Sequence, residues 1–217
     1  KVNATGSAGL KKQAGNFTEL AFDYGVAVDK RNSPYKPTDG YFSKFKQGIP
    51  LYADSPFIQN TYQFSAYKAF SADLIGSIKF YGSAINGLDD KDVRISKRIK
   101  LSQNKIRGFE QGKIGPKDGD DFIGGNYATA VNFETSLPNL LPEYTKTDIG
   151  LFLDLGNVWS IDYDSSLEDT NKIRSTAGLA ADWSSPLGPM SFILSQNITK
   201  ASTDVTETFN FRLGTRF

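Results

Sequence analysis

The sequence contains no cysteine and no histidine among its 217 residues. Without cysteine the chain can form no disulfide and carries no thiol nucleophile. Without histidine the usual zinc sites and every histidine-based catalytic triad are excluded. We therefore expect no enzyme, no catalytic residue, no metal and no cofactor. The absence of cysteine also suits a chain that is exported through an oxidising compartment.

A long apolar run and an excess of charge of either sign are also missing. No stretch of about 18 apolar residues is present, which excludes a transmembrane helix but not a transmembrane β-barrel, whose strands carry half the apolar signal. The 25 basic and 24 acidic residues leave a net charge of +1. Such a balance gives no field for a polyanion, so we expect no nucleic-acid partner. Because Lys1 opens no signal-peptide pattern, we interpret the sequence as a mature form or a fragment.

Aromatic residues are abundant, with 16 Phe, 10 Tyr and 2 Trp, and many recur at every second position, which predicts β-strands. The clearest alternation sets Leu151 and Leu153 against Asp154. A shorter, glycine-bearing stretch between Ala4 and Gln13 is expected to be the end of a further strand. The nine complete strands are predicted at residues 18–29, 41–49, 61–70, 73–81, 127–137, 148–159, 173–183, 190–198 and 208–217.

The connections between these strands are alternately short and long, as in an outer-membrane barrel. A soluble lipocalin-like barrel or a sandwich would also alternate, with its apolar face turned inward. Charged residues on the polar face favour a water-filled lumen, and we predict an all-β fold, an antiparallel transmembrane β-barrel. The charged residues of this face are Asp23, Lys79, Glu134, Asp154, Arg174, Arg212 and Arg216.

Residues 83–126 form the longest segment without strand character, and Arg107 lies in its glycine-bearing centre, KIRGFEQGKIGP. Two interpretations of this arginine are open from the residues alone. It is either a solvated loop cation or a buried one held by carboxylates. The two interpretations require different structures, because an unpaired buried charge is costly.

Six motifs resemble the BamA family of outer-membrane-protein insertases, whose superfamily includes two-partner secretion transporters and TamA-like assembly factors. The segment at 106–109, IRGF, closely matches the family signature VRGF/Y. Of the other five motifs, one precedes this signature in the sequence and four follow it, in the same order as in the family. They are DKRNSPYKPTDG at 29–40, IGP at 114–116, GGN at 124–126, LFLDLGNVW at 151–159 and WSSPLGP at 183–189.

The resemblance implies that residues 1–217 are one partial domain, the C-terminal half of a 16-stranded barrel in the outer membrane of a Gram-negative bacterium. Segment 83–126 would be an extracellular loop that folds into the lumen. In the family the motif arginine pairs with a glutamate and an aspartate on the two following strands. Here those positions match Glu134 and Asp154, and the alternation places both on the polar face.

The same resemblance assigns roles to the neighbours of Arg107 and to the last strand. Gly108 would allow a tight turn, and Phe109 would pack against the inner wall. The last strand, 208–217, resembles the aromatic C-terminal assembly signal of outer-membrane barrels and would form one side of the family's lateral seam. Its signal and seam residues would be Phe209, Phe211, Leu213 and Phe217.

The implied function is that of an insertase part, which helps β-barrel proteins fold and insert into the outer membrane through the seam. An incoming strand would pair there by β-augmentation. The implied partners are unfolded outer-membrane β-barrel substrates, outer-membrane lipids, accessory assembly lipoproteins and the N-terminal half of the barrel, which this sequence lacks. Alternatives are a secretion transporter of the same superfamily and a small diffusion porin or adhesin.

Overall fold

The computed structural model of the chain describes residues 6–164, 166–167, 171–186 and 188–214. Eleven strands are present in these ranges. In chain order they are β1 (Glu19–Asp29), β2 (Asp39–Ala53), β3 (Phe57–Ser71), β4 (Leu74–Gly87), β5 (Lys117–Asp118), β6 (Asp121–Phe122), β7 (Tyr127–Leu137), β8 (Thr147–Trp159), β9 (Arg174–Ser185), β10 (Gly188–Thr199) and β11 (Phe209–Leu213).

Nine of these strands form one antiparallel sheet in the order β1-β2-β3-β4-β7-β8-β9-β10-β11, so each strand lies beside its neighbours in the sequence. The short β5 and β6 pair with each other inside the segment that connects β4 to β7. Within the described ranges, β1 and β11 each pair with a strand on one edge alone. The sheet that the alternating sequence predicts is therefore confirmed, with its nine strands.

One face of the sheet is apolar and is not covered by protein. The register keeps apolar residues on this face from strand to strand, because Phe64 pairs with Phe80, and Phe80 pairs with Val131. Further along, Leu151 of β8 lies opposite Leu179 of β9, and both side chains are exposed. We call this surface the apolar face. Its strand residues alternate with those of the opposite surface because successive side chains in a strand point to opposite sides.

The opposite surface is the polar face, and residues 88–126, which we call the long loop, cover it over β7, β8 and β9 but not over β1, whose residues are all exposed. Asn132, Asp154 and Thr176 lie in one row across β7, β8 and β9 of this face, and all three are buried. Apolar contacts fill the remaining space beneath the loop. They form one cluster of buried residues, Ile85, Val93, Ile99, Leu101, Ile106, Phe109, Ile114, Ala128, Ala130 and Val158.

The segment predicted as a strand end, between Ala4 and Gln13, is instead helical in its described part. Helix α1 spans Ala8–Lys12, and the Oγ atom of Ser7 accepts a hydrogen bond from the backbone N–H of Leu10 at 3.4 Å. Serine at this position satisfies a free helical N–H group, and Ala, Leu and Lys favour helix. No helix in the described part of the chain is long and apolar enough to cross a membrane.

Two boundaries also differ from the predicted ones. Strand β4 continues to Gly87, so the long loop begins at residue 88 rather than 83; its last residues on the apolar face are small or polar, which hides the strand pattern. A loop was expected at residues 50–60, but β2 continues through Pro50 to Ala53. Pro50 lies beside a register shift in β1, and proline is tolerated at such bulges.

Candidate functional site

Arg107, near the middle of the long loop, is bound edge-on by Asp154 of β8. Its Nε atom donates a hydrogen bond to Asp154 Oδ2 at 2.7 Å, and its Nη2 atom donates to Oδ1 at 2.6 Å. The backbone N–H of Arg107 donates to Oδ2 as well, at 3.0 Å. The Asp154 side chain is 0% exposed and that of Arg107 is 6% exposed. This is a buried, bidentate and charge-assisted pair.

Glu134 of β7 is the second carboxylate at the site. Its Oε1 atom lies 2.8 Å from Nη2 of Arg107, and its Oε2 atom accepts a hydrogen bond from Nζ of Lys79 on β4. The side chain of Glu134 is 20% exposed, so water competes for it more than for Asp154. The structure thus brings together Arg107, Glu134 and Asp154, the three charged residues that the sequence predicts for this site.

Burial and the two carboxylates act in opposite directions on the charge of Arg107. Burial lowers its pKa, but the hydrogen bonds and negative charges of Asp154 and Glu134 outweigh this effect, and the pKa is raised overall. Lys105, two residues earlier, shows the opposite result. Burial and the nearby positive charge of Lys79 lower its pKa. The carboxylates therefore stabilise the charge of Arg107, and Lys105 receives no comparable stabilisation from them.

Two residues of the site were not singled out from the sequence. The ring of Phe152 lies beneath the guanidinium of Arg107, with 3.7 Å between its centroid and the Cζ atom. Asn132 donates through Nδ2 to Asp154 Oδ1 at 2.8 Å and to the carbonyl oxygen of Lys105 at 2.9 Å. Both residues share the strand parity of Glu134 and Asp154, so counting alternate positions could have found them.

Gly108 has a backbone conformation and surroundings that exclude other residues. Its φ angle is +82°, and a Cβ atom at this position would lie 2.7 Å from Oγ1 of Thr176. Its carbonyl oxygen accepts a hydrogen bond from Nδ2 of Asn197 at 2.9 Å. The backbone of the loop therefore approaches β9 and β10 more closely than a side chain would permit.

Phe109 is buried in the cluster beneath the long loop and contacts the connection between β10 and β11. It forms an isolated β-bridge with Thr206, and the backbone N–H of Glu110 donates to the carbonyl oxygen of Val205 at 3.0 Å. Arg107, Gly108 and Phe109 consequently join the loop to β8, to β9 and β10, and to the segment that precedes β11.

A second buried ion pair was not predicted. Arg174, the first residue of β9, donates through Nε to Asp204 Oδ2 at 2.9 Å and through Nη2 to Oδ1 at 3.0 Å. Both side chains are 0% exposed. The sequence places Arg174 on the polar face, but nothing in its pattern pairs it with Asp204, which lies in the connection between β10 and β11.

The predicted seam residues lie on β11, at the end of the sheet. Phe209, Phe211 and Leu213 point to the apolar face and are exposed, and the rings of Phe211 and Phe192 are 5.2 Å apart. Strand β11 pairs with β10 along one edge, and its other edge pairs with no strand in the described ranges. Phe217, the fourth predicted residue, lies outside the described residues.

Comparison with known proteins gives a family match over nearly the whole chain. The family model of the Omp85 superfamily domain matches residues 2–217. The outer membrane protein assembly factor BamA of Neorickettsia risticii is 24% identical over 213 residues, which are 96% of this chain and 29% of that protein. BamA of Neisseria meningitidis is 28% identical over 232 residues, covering 89% of this chain and 28% of the relative.

A solved structure shows the same fold. The crystal structure of BamA from Haemophilus ducreyi lacking POTRA domains 1–3 superposes with a TM-score of 0.78 at 26% identity, over 88% of this chain and 41% of that one. The chain thus spans less than a third of the length of the two curated relatives.

Proposed function

Because the chain belongs to the Omp85 superfamily, we propose that it forms part of an insertase that folds β-barrel proteins into the outer membrane through a lateral seam. Members of this superfamily are outer-membrane proteins, and the exposed apolar face of the sheet suits contact with lipid. The observation that carries the proposal is the attachment of the long loop, through Arg107 and Asp154, to a sheet whose last strand, β11, is paired along one edge alone in the described ranges.

In the described ranges one edge of β11 pairs with no strand, and we propose that this edge binds the incoming strand during insertion. A strand with one unpaired edge presents a row of backbone N–H and C=O groups, and these groups can hydrogen-bond an incoming strand. The exposed Phe209, Phe211 and Leu213 would meet lipid beside the apolar side chains of the new strand. Backbone pairing gives little sequence preference, which suits an insertase with many β-barrel substrates.

The long loop stabilises the strands of this sheet from the polar face. Its anchor residues Arg107, Gly108 and Phe109 contact β8, β9, β10 and the segment before β11, so the loop holds four neighbouring parts in a fixed arrangement. A sheet held in this way can keep its terminal edge in position for pairing. We propose that this action is not enzymatic and needs neither a metal nor a cofactor.

The proposed partners follow from the two edges and the apolar face. Unfolded outer-membrane β-barrel proteins would pair with β11, and outer-membrane lipids would cover the apolar face. Strand β1 also has an edge that pairs with no strand in the described ranges, and the N-terminal half of a barrel would pair there. Accessory assembly lipoproteins would complete the complex. Nucleic acid is not an expected partner.

The test is an assembly reaction with the complete protein in liposomes. A purified, unfolded outer-membrane barrel is added, and its folding is followed by the mobility shift of unheated samples on a gel. Arg107→Ala should lower the folding rate by at least about tenfold, since the pairing of a buried charge is lost. Arg31→Ala is the matched control, because it removes an Arg–Asp pair in the turn after β1.

Two results would overturn the proposal and point to an alternative. Ion conductance in planar bilayers, without any effect of the wild-type protein on folding, would support a small diffusion porin. Export of one specific partner, with the general folding of outer-membrane barrels unaffected, would support a secretion transporter of the same superfamily. An Arg107→Ala protein that loses protection of the long loop but folds barrels at the wild-type rate would exclude the loop from the function.

A further inference from the structure

A cluster of polar side chains joins the long loop directly to β11. Arg212, on the polar face of β11, donates through Nη2 to the carbonyl oxygen of Gln103 at 2.9 Å. Its Nη1 atom donates to Oδ1 of Asn104, and its Nε atom donates to Oδ1 of Asn210 at 3.0 Å. One arginine thus binds two consecutive loop residues and orients its neighbour on the strand.

Gln103 and Asn210 form the centre of this cluster. Asn210 donates through Nδ2 to Oε2 of Glu207 at 2.9 Å and to Oε1 of Gln103 at 3.3 Å. The Nε2 atom of Gln103 donates to the same Oε2 atom of Glu207. The side chain and the carbonyl group of Gln103 therefore both face β11 and Glu207, which lies just before this strand.

Backbone hydrogen bonds continue the attachment toward Arg107. The N–H of Glu207 donates to the carbonyl oxygen of Gly108 at 3.0 Å, and the N–H of Val205 donates to the carbonyl oxygen of Lys113 at 3.1 Å. The segment that leads into β11 consequently lies against the loop residues that follow Arg107. Displacement of the loop would therefore break the hydrogen bonds that hold the segment before β11.

The loop has two attachments of unequal strength. The first, between Arg107 and the carboxylates of β7 and β8, is buried. The second is more accessible to water, since Asn104 is exposed and Gln103, Asn210 and Arg212 are half-buried. Water competes better for hydrogen bonds at exposed positions, so the second attachment opens at lower cost.

We propose that Asn210 and Arg212 are positioning residues that couple the long loop to β11. Strand β11 is held by β10 along one edge and by Gln103 and Asn104 on its polar face. When the contacts with Gln103 and Asn104 break, β11 loses its support on the polar face, while Arg107 keeps the loop on β7 and β8. This inference rests on the proposed function, because it assigns the control of the seam strand to the loop.

Coupling of this kind is reciprocal, and reciprocity separates it from a merely structural role. If the loop stabilises β11, then β11 stabilises the loop by the same free energy. Hydrogen–deuterium exchange of the complete protein in lipid nanodiscs measures both sides. Gln103→Ala should speed exchange of the β11 amides by about tenfold, and Arg212→Ala should speed exchange of residues 105–110 by a similar factor.

The double variant is the decisive sample. Gln103→Ala and Asn210→Ala remove the two sides of one hydrogen bond, from Asn210 Nδ2 to Gln103 Oε1 at 3.3 Å, so their double variant should speed exchange less than the product of the two single effects. Arg31→Ala is the control and should change neither region. Additive effects of the two substitutions would overturn the coupling. So would a loop substitution that speeds exchange only in the loop, or a β11 substitution that speeds exchange only in β11.

Two further measurements keep the result interpretable. Where Arg212→Ala fails to fold, Asn210→Ala replaces it as the variant on β11, with the same reciprocal expectation. The barrel-folding activity of each preparation is measured in parallel. Wild-type protein without this activity refutes the proposed function, whereas active protein with additive exchange effects refutes the coupling alone.

Discussion

The guanidinium of Arg107 lies over the ring of Phe152, with 3.7 Å between its Cζ atom and the ring centroid. Asp154, two residues further along β8, binds the edge of the same guanidinium with both carboxylate oxygens. The face and the edge of one planar group are thus held by a single strand. Only a planar cation can satisfy both contacts, which distinguishes arginine from lysine at this position.

Arg107→Lys should therefore weaken closure of the long loop although the positive charge is retained. The bidentate hydrogen bond and the ring contact are lost, at a cost of about 2 kcal/mol. Arg107→Ala should cost about 3–5 kcal/mol because it leaves Asp154 buried without its counter-ion. Protease protection of residues 88–126 in the folded protein measures both. Equal protection of the lysine variant and the wild type would show that planarity is unimportant.

The two carboxylates should differ in importance. Asp154 is 0% exposed and Glu134 is 20% exposed, and Glu134 also binds Lys79. Asp154→Asn should therefore weaken loop protection more than Glu134→Gln, by about 1–2 kcal/mol. In the double variant Arg107→Met with Asp154→Asn, part of the loss should be recovered, since no charge is left unpaired between these two residues. A larger effect of Glu134→Gln would contradict this order.

Phe152→Leu tests the contact beneath the guanidinium. The substitution keeps an apolar residue of moderate size but removes the ring, which should weaken loop closure by about 1–2 kcal/mol. Phe133→Leu on the neighbouring strand is the control, because the side chain of Phe133 is exposed on the apolar face, opposite to the face that carries Arg107. Hydrogen–deuterium exchange of residues 105–110 provides the measurement. Similar exchange in the two variants would mean that the ring contributes by size alone.

The sheet and part of the site could be predicted because strand geometry fixes the side on which each residue lies. Alternation assigned Glu134 and Asp154 to the polar face, and a one-residue error would have placed both against lipid. Alternation alone could not predict which residues pair with Arg107, since a loop can cross a sheet along many paths. The family resemblance indicated that Arg107 reaches the strands that carry Glu134 and Asp154.

What could not be predicted depends on contacts between segments far apart in the sequence. Asp204 lies in a connection without periodicity, so nothing in the sequence directs it to Arg174. Gln103 is uncharged and has no motif, and its position beneath β11 follows from the folded path of the loop. The short helix α1 was missed because glycine-bearing stretches of this length carry no clear period.

Gly108→Ala should open the long loop, and Gly112→Ala should have a smaller effect. Both glycines have positive φ angles, +82° and +68°, so alanine is strained at each. At Gly108 the added Cβ atom would also lie 2.7 Å from Oγ1 of Thr176, whereas at Gly112 the nearest atom is Cδ of the flexible Lys100, at 3.3 Å. The greater loss of loop protection in Gly108→Ala therefore reports the crowding against Thr176. Equal protection of the loop in the two variants would show that the positive φ angle, rather than the close approach to β9, requires glycine at position 108.

The buried pair between Arg174 and Asp204 should stabilise the connection that leads into β11. Both side chains are 0% exposed, and Asp204 also accepts a hydrogen bond from the backbone N–H of Ala201 at 2.6 Å. Arg174→Met leaves the carboxylate without its counter-ion in a dry site and should cost about 3–5 kcal/mol.

Replacement of both partners, Arg174→Met with Asp204→Leu, removes both charges, and the variant should be more stable than Arg174→Met alone. Denaturant titration of the reconstituted protein gives the free energies of unfolding, and exchange of the β11 amides reports the local effect. If the double variant is less stable than the single one, the pair does not act as a unit. Asp204 would then stabilise the connection through its bond to Ala201, independently of Arg174.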